Sequence, residues 1–167
     1  MGIIIDDPRL RERRSVFTDR HDAGRQLGFD AYACLTHLGL ARREQGDPEG
    51  AVSRWLEAVA IRPSGDGNQG ELFDLVKPTA RLVDNPSTFA RTASLLEAIA
   101  PAWADDGEGS FLFAKCLFRS GLALDRALDH YQRALSLGYD ELEVRVARSL
   151  LCLQRADWPR AICELFR

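Results

Sequence analysis

The 167 residues make about one domain, long enough to bury roughly 70% of the surface the unfolded chain would expose. With 22 basic against 25 acidic residues the formal net charge is −3, which excludes a general nucleic-acid binder, whose footprint would be strongly basic. Cys34, Cys116, Cys152 and Cys163 lack paired CxxC spacing and only His21, His37 and His130 could complete a metal site, so we expect buried apolar cysteines and no metal or cofactor.

The apolar run after Met1, Gly-Ile-Ile-Ile, is too short for a signal peptide or a membrane span, so a soluble, cytoplasmic protein without a membrane partner is expected. Asp7-Pro8 opens a helical candidate over residues 9–20, in which arginines alternate with Leu10, Val16 and Phe17. Residues 1–27 therefore read as an N-terminal helical arm or cap, and 28–167 as the main domain. Arg9, Arg11, Arg13 and Arg14 could touch an acidic partner or nucleic acid. Asp6, Asp7, Glu12 and Asp19 dilute that run, and a solvated helix face is the plainer reading.

Two helices are predicted next, over residues 28–44 and 48–62. Gly46-Asp47-Pro48 forms the hinge: glycine ends the first helix, Asp47 caps the second, and Pro48 suits its first position, where no amide hydrogen is needed. Leu35 and Leu38 put an apolar stripe beside Gly39, whose missing Cβ lets the second helix approach. Ala51, Trp55 and Ala58 recur at four and three residues, so small side chains flank one large one between the helices. Pro63 stops the pair. Residues 63–70, SGDGNQG after the proline, read as a loop, with neither a preceding strand nor a following lysine-serine or lysine-threonine pair to make a phosphate cradle.

Leu72, Leu75, Val76, Leu82 and Val83 predict an amphipathic helix over 71–83 that Pro78 kinks or divides. Asn85-Pro86-Ser87 restarts the chain into a helix through about Ala100 carrying Phe89, Ala93, Leu96 and Ile99. After the break at Asp105-Asp106-Gly107, whose acidic residues read as helix caps, residues 108–120 and 124–137 make a third pair. Ala127, Tyr131 and Ala134 repeat the spacing of Ala51, Trp55 and Ala58. The last pair is 141–155 and 159–166. Ala161 lies 34 residues beyond Ala127, and Ala156-Asp157-Trp158-Pro159 repeats the hinge chemistry. In its first helix one register would bury Arg145 and Arg148; a slip of one residue buries Val144, Ala147 and Leu151 instead and avoids burying two unpaired guanidiniums.

Leu35, Leu38, Gly39, Ala51, Trp55, Ala58 and Pro63 stand at the spacing of one tetratricopeptide repeat, and the chain resembles that family. The resemblance implies an all-α, right-handed solenoid of antiparallel helix pairs, about four in number, the second of them degenerate. Such folds line a groove with the first helix of each pair and usually bind a protein or peptide there without catalysis. The resemblance thus places Thr36, Leu40 and Arg43 of the first repeat and Leu112, Cys116 and Arg119 of the third in a partner-binding groove. The lysines and asparagines with which one subclass holds a partner's carboxylate are missing at these positions, so an apolar or mixed ligand surface is expected.

No nucleophile and base share a motif, so no catalytic residue is assigned. Residues 16–27, VFTDRHDAGRQL, faintly resemble the N-terminal segment of some bacterial phosphoribosyltransferases, which implies as an alternative an accessory or regulatory subunit of such an enzyme. At the C-terminus, Ala161, Ile162, Leu165 and Phe166 give the last helix apolar surface on more than one side. Ile162, Leu165 and Phe166 are expected to be covered by a second copy of the chain, a separate partner or a downstream segment, most economically by a second copy.

Overall fold

The computed structural model describes residues 30–61 and 69–166. Over these residues the chain is all-helical, with α1 Ala31–Glu44, α2 Pro48–Ile61, α3 Gln69–Leu82, α4 Pro86–Ala98, α5 Gly107–Ser120, α6 Leu124–Ser136, α7 Glu141–Gln154 and α8 Trp158–Leu165. A single 3-10 turn, Ala100–Ala102, follows α4. The N-terminal arm, the segment resembling phosphoribosyltransferases and most of the loop after Pro63 lie outside the described residues.

Side-chain caps fix where most helices begin. Asp30, Asn85, Asp106, Asp140 and Asp157 each accept a hydrogen bond from an amide of the helix they precede, at 2.8 to 3.2 Å. Asp47 does the same for α2, accepting from the Gly50 amide at 2.7 Å. These bonds satisfy amides that have no partner within the helix, which is why Asp or Asn recurs at the breaks. The hinges also share their exit geometry: Asp47 N donates to Arg42 O and Asp157 N to Cys152 O, with Gly46 at φ 78° and Ala156 at φ 58°. Ala156 thus adopts a left-handed conformation that glycine takes without a Cβ penalty.

Each helix packs against its sequence neighbour, and α1 touches α3, α2 touches α4, α3 touches α5 and α5 touches α7. The core runs through the array from Trp55 and Val52 on α2 through Leu72, Val76, Phe89, Leu96 and Leu112 to Tyr131, Val144 and Leu151. Pro78 does not divide α3, which is a single helix across it. Near the missing Pro78 amide, the Leu75 carbonyl accepts from Thr79 Oγ1 at 3.2 Å and from Arg43 Nη1 at 3.5 Å.

Three expectations are corrected. Leu38 does not face α2: it is 43% exposed and Leu35 half-buried, because the face of α1 that meets α2 is set by Tyr32 and Gly39, two turns apart. Only Cys116 and Cys152 are buried, while Cys34 and Cys163 lie on outward faces of α1 and α8. In α7 the slipped register holds for Val144 and Leu151, but Arg148 is also largely buried. It is not unpaired. Arg148 Nη2 meets Glu164 of α8 at 2.7 Å and Nη1 donates to Gln132 of α6 at 2.9 Å, which offsets the cost of desolvating the guanidinium.

Candidate functional site

The site begins with how α1 is seated. A Cβ on Gly39 would stand 2.6 Å from Cδ1 of Trp55, so only glycine lets the indole pack this closely on α1. Trp55 is fully buried, and its Nε1 donates to the Thr36 carbonyl at 3.1 Å. One face of α1 is thereby fixed on α2. The adjacent face, bearing Ala33, Thr36, His37 and Leu40, looks toward α3.

Between α1 and α3 lies a groove of about 420 Å³ lined by those residues with Tyr32, Glu71, Leu72, Asp74 and Leu75. Tyr32 and Leu72 are buried, Leu40 and Leu75 half-buried, and His37, Glu71 and Asp74 exposed. The floor is apolar and one rim carries two carboxylates that make no ion pair among the described residues. Arg43 sits just beyond, bound to the Leu75 carbonyl, and ties α1 to α3. Thr36, which lines the groove, donates from Oγ1 to the Tyr32 carbonyl at 2.9 Å.

The third-repeat candidates do not join this surface. Leu112 and Cys116 are fully buried, so neither can face a ligand, and burial pushes the Cys116 thiol up to about 12. The reason is that α5 has α3, α4, α6 and α7 around it, and every residue from 109 to 114 is buried. A helix surrounded in this way has no solvent stripe to present over that stretch. Arg119 is exposed and lays its guanidinium 5.6 Å from the centre of the Phe89 ring on α4.

Sequence reasoning passed over Glu71 and Asp74, the α3 side of the groove. Their spacing beside Leu72 and Leu75 was the available signal, an acidic edge on an apolar stripe.

The acidic turn before α5 is structural. Lys77 Nζ meets Asp106 at 2.6 Å and Glu108 at 3.7 Å, and Arg81 meets Glu108 at 2.8 Å and Tyr139 at 3.1 Å. Burial works to raise the Asp106 pKa, but the hydrogen bonds from Lys77 and the Gly109 amide outweigh it and hold the carboxyl below its usual range. Among the described residues no three His, Cys, Asp or Glu side chains stand close enough to hold a metal ion.

At the far end, Ile162, Leu165 and Phe166 of α8 are 55, 50 and 85% exposed. Leu142, Val146 and Leu150, four residues apart on α7, and Trp158 are exposed too, which the sequence reading did not anticipate. A shallow pocket of about 360 Å³ lies between Leu142, Val146 and Leu165.

No protein-family model matches the chain, and no curated protein matches it significantly. No helix among the described residues is long and apolar enough to cross a membrane.

Proposed function

We propose that the chain is a cytoplasmic, non-enzymatic interaction module of tetratricopeptide type, a solenoid of four antiparallel helix pairs that binds a segment of a partner protein. The observation that carries this reading is the apolar-floored groove between α1 and α3, the first helices of the first two pairs. The contacts between alternate helices support stacking of the pairs. Thr36 and Leu40 supply the α1 wall, Leu72 and Leu75 the α3 wall, and Arg43 closes one end.

Photo-crosslinking tests it. A crosslinker placed at Leu40 or Leu75 in the full chain should yield one discrete adduct in extract of the source cell, mapped to a single partner segment and absent when the crosslinker replaces the exposed Glu57 on α2. Equal labelling from all three positions would refute a dedicated groove.

The exposed apolar residues of α7 and α8 support a second contact, self-association through this end. Light scattering should find a concentration-dependent dimer that Ile162→Asp/Phe166→Asp abolishes. A wild-type chain that stays monomeric at high micromolar concentration would rule this out.

A further inference from the structure

We propose that the chain pairs with a second copy through α7, laid antiparallel on its counterpart with Val146 at the two-fold axis, a seam that rests on the self-association reading and gives it a surface. The helices α5 and α7 are both 14 residues long and begin 34 residues apart, so Val146 and Leu150 stand one period after Leu112 and Cys116. On α5 those two positions are fully buried, among helices that include α7. On α7 they are 41 and 49% exposed, and Leu142, one turn earlier, is 73% exposed. Among the described residues no helix follows α8 to take the place on α7 that α7 takes on α5.

The row of side chains decides what fits there. Leu142, Val146 and Leu150 read the same in both directions, a leucine four residues to either side of a valine. In a two-fold contact residue i meets j wherever j meets i, so an antiparallel copy sets Leu142 against Leu150 and Val146 against Val146. Rows of every fourth residue pack in the commonest class of helix crossing, and the smaller valine at the centre lets the two axes close to about 8 Å. The flanking charges are already paired within one copy: Arg145 meets Glu141, and Glu143 accepts from Tyr139 Oη at 2.6 Å. An ionic partner therefore finds little to grip in this row, whereas an apolar copy of it does.

Beside the row, α8 exposes Trp158, Ile162 and Leu165 at four- and three-residue spacing, with Leu165 across the shallow pocket from Leu142 and Val146. Together these six side chains expose apolar surface of the same order as the roughly 800 Å² that each side of a stable dimer buries. Neither α1 nor α3 takes part in the seam, so the dimer carries two equivalent α1–α3 grooves. A partner with two copies of its segment would bind the second groove intramolecularly, at an effective concentration that reaches roughly millimolar.

Disulfide trapping tests the seam, in the full chain carrying Cys34→Ser/Cys163→Ser so that only the buried thiols of Cys116 and Cys152 remain. Val146→Cys in this background should give a covalent dimer on mild oxidation. Leu142→Cys and Leu150→Cys should each fail to couple alone and should couple when the two chains are mixed. Val146→Asp acts twice in a two-fold contact and should weaken the dimer at least about a hundredfold by analytical ultracentrifugation. The dilute Val146→Asp chain should keep its helix content, because the side chain it replaces is exposed. A dimer that traps through Leu142→Cys alone, or that Val146→Cys does not trap, would overturn this seam and leave self-association standing. A chain that stays monomeric at high micromolar concentration would overturn both.

Discussion

The α1–α2 region and the α3–α4 region that follows it are built differently. In α1–α2 a glycine and two alanines let the helices close on one tryptophan; Ala51, Trp55 and Ala58 are all fully buried. α3 and α4 bury larger side chains, Leu72, Phe73, Phe89, Leu95 and Leu96, and α4 packs more extensively on α2 and α5 than on α3. The second tryptophan, Trp103, completes this region from the turn after α4, donating from Nε1 to the Leu96 carbonyl at 2.8 Å. It also meets a glycine: a Cβ on Gly109 would stand 2.6 Å from Trp103 Cβ and 2.9 Å from Phe73 Cζ. Both regions thus bury an indole beside a glycine. One does so between the successive helices α1 and α2, the other among α3, α4 and α5.

The largest effects should come from the two indoles. Trp55→Ala and Trp103→Ala should each cost about 3 to 5 kcal/mol, the range for a large buried side chain. Hydrogen exchange should tell them apart, with α1 and α2 losing protection in the first variant and α3, α4 and α5 together in the second. If Trp103→Ala left α3 as protected as wild type, the indole would not be what joins α3 to α4 and α5.

Next come the glycines of the first helices. Gly39→Leu should destabilise by roughly 1 to 3 kcal/mol through overpacking on Trp55. Gly70, near the start of α3, has open space around its Cβ position, and Gly70→Ala should stabilise by about 0.4 to 1 kcal/mol. Thermal melts that reversed this order would show that α3, not α1, is the closely approached helix.

A gain of similar size is expected at the last hinge, where Ala156→Gly relieves a positive φ and should add up to about 1 kcal/mol. Lastly, a thiol reagent should label Cys34 and Cys163 at once, and Cys116 and Cys152 only as the chain unfolds. Rapid labelling of Cys116 would return it to a solvent-facing groove.

Among the described residues, helix number and limits were legible to within a few residues because Asp or Asn caps, prolines and glycines mark most ends. Which face of each helix turns inward was legible where small and large residues alternate, as at Ala51, Trp55 and Ala58 or Ala127, Tyr131 and Ala134. It failed on α5. The pattern of one pair cannot reveal that α3, α4, α6 and α7 all cover the same helix, so Leu112 and Cys116 looked available. Arg148 escaped for a similar reason, since its partners Glu164 and Gln132 come from two other helices. The groove was half legible: Thr36 and Leu40 follow from the first repeat, whereas the α3 wall belongs to the pair that lacks the repeat's landmarks.

Calorimetry of the full chain with the segment captured from Leu40 measures binding in that groove directly. Thr36→Arg and Leu40→Asp, which fill the groove and charge its floor, should each weaken binding at least about a hundredfold, a loss of about 2.8 kcal/mol. The Thr36→Arg chain should melt close to wild type, because Thr36 presents its backbone carbonyl, not its side chain, to Trp55. Binding of wild-type strength by a Thr36→Arg chain would contradict the groove as the binding face.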